Sequence, residues 1–65
     1  MVKKVKEIIS LLEADGWKHI RTKGDHRVFY KPGATRPIIV PHALNDDLPI
    51  GTLKSIIKQA NLKID

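Results

Sequence analysis

The 65-residue chain contains no cysteine, and it carries only one tryptophan, one tyrosine and one phenylalanine. Without cysteine there is no disulfide framework, no thiolate zinc site and no thiol nucleophile, which suits a reducing compartment. Three histidines remain as metal ligands, but His19, His26 and His42 match no compact zinc spacing and no carboxylate pair accompanies them. The expectation is a mechanism without metal or cofactor. Long hydrophobic runs are also missing: the longest is Ile38 to Val40, far too short to span a bilayer, and the first residues lack the apolar core of a signal peptide. A soluble, cytoplasmic protein without membrane contact is expected. Its length allows a single domain over residues 1–65. Such a chain buries only about 60% of its unfolded surface, so protection by a partner would be no surprise.

Charge, by contrast, is plentiful and unevenly placed. Twelve basic against seven acidic residues leave a net charge of +5. Six of the bases fall between Lys18 and Arg36, namely Lys18, Arg21, Lys23, Arg27, Lys31 and Arg36, and only Asp25 opposes them. Near the N-terminus the lysines are instead mixed with Glu7, Glu13 and Asp15. The basic footprint of a polyanion-binding surface therefore belongs to the middle of the chain.

That middle segment reads as a hairpin. Gly24-Asp25 between two alternating runs is a two-residue turn signal. Counting outward, the expected cross-strand pairs are Lys23 with His26, Thr22 with Arg27, Arg21 with Val28, Ile20 with Phe29 and His19 with Tyr30. Alternation then puts Ile20 and Phe29 on one face, and His19, Arg21, Lys23, His26, Val28 and Tyr30 on the other. One face is apolar, while the other is basic and carries imidazoles. Such a cluster suits a phosphodiester backbone, and a histidine within it can move protons during cleavage.

Around the hairpin, Val5, Ile8, Ile9 and Leu12, preceded by Val2, keep the spacing of an amphipathic helix from about Lys3 to Ala14, with Gly16 as a left-handed cap. Strands are expected at Trp17 to Thr22, His26 to Lys31 and Ile38 to Val40, the last bracketed by Pro37 and Pro41. After a polar connection containing Asn45, Asp46 and Asp47, Pro49 fits a first helical turn. Ile50, Leu53, Ile56, Ile57 and Ala60 continue a second amphipathic helix to about Ala60, capped by Asn61 with Leu62 in apolar contact. The fold class is α+β: an α-β-β-β-α two-layer sandwich, with both helices on one face of a three-stranded antiparallel sheet and the other face open.

These residues resemble HicA-type (YcfA-like) toxins, small ribonucleases of bacterial and archaeal toxin–antitoxin modules. The resemblance runs through Leu11 to Trp17, Lys23-Gly24-Asp25-His26 with Phe29, Ile38 to His42, and Leu48 to Leu53 with Ile56. It implies a double-stranded-RNA-binding-domain-like fold, metal-independent cleavage of mRNA, and neutralisation by a HicB-type antitoxin. It also implies an essential histidine after a Gly-Ser pair, which maps onto His26. Asp25 departs from that serine and sets a negative charge beside the histidine. Asn61 stands where the family often has glycine, a mild change because asparagine tolerates the left-handed conformation.

The chemistry requires a base for the ribose 2′-hydroxyl, cations for the phosphoryl oxygens and an acid for the leaving oxygen. His26 is the catalytic candidate, because imidazole exchanges protons near neutral pH. Arg21 and Lys23 are candidates to hold the phosphate, Tyr30 or Trp17 to stack a base, and Arg27 and His19 complete the RNA-contact set. For His19 and His42 a second proton-transfer role competes with a solvated strand residue and with a histidine capping the polar loop by hydrogen bonding. For Trp17 a place in the core outweighs stacking. Two other functional classes fit the same pattern: a non-catalytic RNA-binding module and a unit that docks an acidic protein. Lys54 and Lys58 alone are too few for the usual duplex grip of that fold. A helix-turn-helix is disfavoured because the whole sheet separates the helices.

Overall fold

The computed structural model describes residues 3–62, so the expected contribution of Val2 to the first helix lies outside the described residues. Helix α1 is Val5–Ala14, followed by strands β1 (Lys18–Lys23), β2 (His26–Tyr30) and β3 (Ile38–Val40) and by helix α2 (Ile50–Ala60). The sheet is antiparallel with order β1-β2-β3. This order and two-layer packing are those read from the sequence, and they are compatible with a double-stranded-RNA-binding-domain-like fold. No helix among the described residues is long and apolar enough to cross a membrane.

One apolar cluster joins the layers. Val5, Ile8 and Leu12 of α1 and Leu53, Ile56 and Ala60 of α2 meet Phe29, Ile38 and Val40 of the sheet, with Trp17 and Leu48 filling the ends. Phe29 pairs directly with Ile38, and Ile38 and Val40 are two residues apart, so all three project from one face and both helices cover it.

Backbone caps fix where each helix begins and ends. At the start of α1 no side chain caps the helix; instead the amides of Val5 and Lys6 donate to the carbonyls of Asp46 and Leu44, at 2.9 and 3.0 Å. The polar connection thus satisfies donors that a helix N-terminus leaves unpaired. Both C-termini close the same way. Trp17 N–H reaches Leu12 O and Gly16 N–H reaches Glu13 O, while Leu62 N–H reaches Ile57 O and Asn61 N–H reaches Lys58 O. These are paired Schellman bonds around a left-handed residue, Gly16 at φ 100° and Asn61 at φ 56°. Leu62 then packs on the core, as expected. Pro49 caps α2 with φ −55° and ψ 141°, one position before the first helical residue.

The hairpin holds its expected register only near the turn. Lys23 pairs with His26, Thr22 with Arg27 and Arg21 with Val28, but beyond them His19 pairs with Phe29 and Lys18 with Tyr30. Ile20 is the extra residue of a β-bulge. The expected pairs Ile20 with Phe29 and His19 with Tyr30 are therefore corrected. Ile20 is 56% exposed and leaves the core, and β1 runs one residue later than expected at both ends.

The bulge resolves a conflict within the strand. Trp17 follows the cap of α1 and is only 5% exposed, so residues of its parity, including His19 and Arg21, would face the helices in an unbroken strand. The hairpin register demands the opposite, because Arg21 sits opposite Val28 on the open face. One inserted residue satisfies both. Burying a tryptophan removes about 150–250 Å² from water, about 4–6 kcal/mol at ~25 cal/mol per Å², against about 1.5–3 kcal/mol for an isoleucine. Trp17 goes in and Ile20 goes out.

Candidate nucleic-acid interface at the hairpin end

His26 is the first residue of β2 and is exposed, directly opposite Lys23 across the turn. Gly24 makes this possible. It has φ 59° while Asp25 keeps a negative φ, the pattern of a type II′ turn, whose twist matches the flanking strands. Asp25 occupies the second turn position, exposed and without an ion pair among the described residues. Behind the turn, Arg21, Lys23, Gly24, His26, Val28 and Ile39 line a shallow cavity of about 480 Å³ on the open face. Val28 pairs with Ile39 and forms its apolar floor; Val28 is 6% exposed although no helix covers it. An imidazole at the rim of a small apolar floor, with two cations beside it, can hold an anion and exchange protons with it.

Tyr30 shares the open face with His26 and Val28 by alternation, and Lys18 sits opposite it. The structure therefore assembles four of the expected residues, Arg21, Lys23, His26 and Tyr30, on one surface. It sends two elsewhere. The bulge turns His19 to the helix side, where its ring lies 5.5 Å from that of Phe29 and its Nε2 shares a 2.6 Å hydrogen bond with the Thr22 hydroxyl. Residues three apart face opposite ways in a regular strand, so this bond is itself a product of the bulge. The expected placement of His19 on the basic face is corrected accordingly. Arg27 alternates to the side of Phe29, and its Nη1 donates to the His42 carbonyl at 3.1 Å.

His42 follows β3 at the same end of the sheet as His26, because Val40 pairs with Arg27. Its φ of 72° is a left-handed conformation unusual for a residue other than glycine. Its carbonyl, held by Arg27, fixes the loop; the imidazole makes no hydrogen bond among the described residues. The loop is capped instead by Asp46, whose Oδ2 accepts from the Ala43 amide at 3.3 Å, which corrects the expected capping by the histidine side chain. Trp17 is core, as the sequence suggested. Among the described residues no three of His, Cys, Asp or Glu converge to hold a metal ion.

Sequence reasoning alone missed the bulge and the Arg27 contact with His42. The signal for the first was present in the contradictory parities of Trp17 and Arg21, whereas nothing in the sequence marks the second.

Comparison with known proteins agrees with this architecture. The search of curated proteins matches none. The family model described as the HicA toxin of bacterial toxin–antitoxin systems matches residues 5–62, from the first residue of α1 through the cap of α2 and across the whole hairpin. With that match spanning both layers and the histidine-bearing turn, the chain belongs to the HicA toxin family, the toxin half of a toxin–antitoxin pair, and so has an antitoxin as its counterpart.

Proposed function

We propose that the protein is a metal-independent endoribonuclease that cleaves mRNA with His26 and is held inactive by a HicB-type antitoxin in the cytoplasm. The observation that carries this reading is the position of His26, exposed at the hairpin end on a cavity shared with Arg21 and Lys23, in a chain of the HicA toxin family. Single-stranded mRNA lies across the open face. Arg21 and Lys23 hold the scissile phosphate, and Tyr30 stacks a base further along the strand, worth about 1–3 kcal/mol without sequence selectivity. His26 takes the proton of the ribose 2′-hydroxyl. The freed oxygen attacks the adjacent phosphorus, the bond to the 5′-oxygen breaks, and that oxygen leaves as a hydroxyl, taking its proton from solvent water. The products are a 2′,3′-cyclic phosphate and a 5′-hydroxyl. Negative charge developing on the phosphoryl oxygens is met by the two cations.

His19 and Arg27 have no part in this step, since both face the helices. The antitoxin covers the same open face, and an acidic surface on it matches the basic one. The test is cleavage of a long single-stranded RNA in EDTA by wild type and His26→Ala, with binding followed in parallel. Cleavage lost with binding kept is the expected result. Equal cleavage by both proteins removes His26 from the mechanism, and binding without cleavage by the wild type favours a non-catalytic RNA-binding module.

A further inference from the structure

A second cavity, larger than the one at His26, lies at the opposite end of the sheet. It is an open groove of about 920 Å³ between the β2–β3 connection and the last turn of α2. Lys31, Arg36 and Lys58 line it together with Trp17, Pro32 and Gln59; among the described residues no acidic side chain does, and it shares no residue with the cavity at His26. Its shape follows from a turn at Pro32-Gly33, where Ala34 N–H closes on Lys31 O at 2.9 Å and Gly33 takes φ 91°. That turn carries the connection out over α2.

Two features of the groove lack an internal explanation. Lys31 is paired with Asp15 at 3.1 Å, but Arg36 and Lys58 enter no ion pair among the described residues. And Trp17, 5% exposed, is the one buried side chain there whose polar atom, Nε1, has no hydrogen-bond partner among the described residues. A buried donor without an acceptor costs about 1–3 kcal/mol, and native proteins rarely leave one so. Arg36 and Lys58, without counter-ions among the described residues, and the apolar edge of Pro32 and Ala34 beside them are together the complement of a phosphate with its attached nucleoside; the Trp17 N–H is itself shielded and adds no direct contact.

We propose that this groove is a second RNA-backbone site, which seats a phosphodiester of the same strand that is cleaved at His26. The inference rests on the function proposed above. From His26 to Lys31 the chain covers about 16 Å at ~3.3 Å per residue. An extended strand of a few nucleotides can reach both ends, passing Lys18 and Tyr30 on the way. The groove therefore acts as an anchor: it adds affinity for long RNA and leaves chemistry at the hairpin unchanged. An acidic segment of a partner protein offers carboxylates to the same cations, but it has no base to lie against Pro32 and Ala34.

The experiment compares 2′-O-methyl oligoribonucleotides, which cannot be cleaved, of two nucleotides, whose single phosphodiester can sit at one end only, and of about twelve, within the range occupied by single-stranded sites of this size. Binding is measured over a salt series for wild type and Arg36→Gln/Lys58→Gln. Because the chain has a single tryptophan, its fluorescence reports on the groove directly. The expected result is that the double variant binds the long oligonucleotide roughly tenfold more weakly and the short one as before. Its salt slope falls by about 1.4, two contacts at about 0.7 each. Trp17 emission should respond to the long oligonucleotide alone. Unchanged long-RNA affinity and slope in the double variant overturn the anchor. So does a variant that loses only binding to poly-glutamate, which assigns the groove to an acidic protein. Lys58 also complements the C-terminal dipole of α2, so thermal unfolding of Lys58→Gln is read alongside; a stability loss without the loss in slope likewise overturns it. Failure of wild type to bind either length is a different outcome, which removes the ribonuclease reading itself.

Discussion

Strands β1 and β2 pair differently on the two sides of Ile20. Toward the turn, Arg21, Thr22 and Lys23 meet Val28, Arg27 and His26 in the register that a two-residue loop dictates. Away from it the ladder has slipped by one, and His19 and Lys18 meet Phe29 and Tyr30. The near half presents Arg21, Lys23 and His26 to the open face. The far half brings His19 against Phe29 and leads the chain into buried Trp17. A turn sets register only as far as nothing stronger opposes it. In this strand the stronger term is the burial of one indole, and the price of reconciling the two is a single exposed isoleucine.

The largest effect is expected from the near half. His26→Ala should lower RNA cleavage by about 10²–10⁴, the usual contribution of a proton-transfer group, with thermal stability unchanged because His26 is exposed. A single-turnover assay beside a melting curve checks both. Phe29→Ala, on the buried side of the same strand, should cost about 3–5 kcal/mol. That rivals the whole stability of a chain this short, at roughly 0.05–0.15 kcal/mol per residue, so circular dichroism at room temperature should show a largely unfolded protein. A native spectrum would mean that the core does not depend on that ring.

Arg27→Met keeps the aliphatic stem and removes the hydrogen bond to the His42 carbonyl. For this half-buried group the expected loss is about 1 kcal/mol, or about 4–8 °C in Tm, with cleavage nearly unaltered. A large loss of RNA binding with unaltered Tm would put Arg27 at the RNA after all. The smallest effect is the sharpest test of the slipped register. Ile20→Thr should change stability by no more than about 0.5 kcal/mol, as for an ordinary surface position. A loss of about 2 kcal/mol or more would place Ile20 in the core and the bulge elsewhere.

Much of the fold is legible in the sequence because its signals are local. Leu12 and Leu53 sit on stripes of helical period, Gly16 and Asn61 end those stripes, and Gly24-Asp25 turns the chain; each is a preference of a few neighbouring residues. The family and the hairpin-end cluster of Arg21, Lys23 and His26 follow from the same local reading. What that reading misplaces are His19 and Ile20, residues of β1, whose six residues are all exposed and so offer no buried side chain within the strand to pin the register.

The sequence by itself determined the element order, the amphipathic stripes, both helix caps and the turn that displays His26, because backbone preferences and hydrophobic period act over a few residues. Only the tertiary structure decided that Ile20 bulges out, that His19 faces the helices, that Arg27 holds the His42 carbonyl, and that Arg36 and Lys58 border a groove beside Trp17. Those outcomes depend on which of several mutually exclusive burials removes most apolar surface from water, a comparison made only when both layers close on one core.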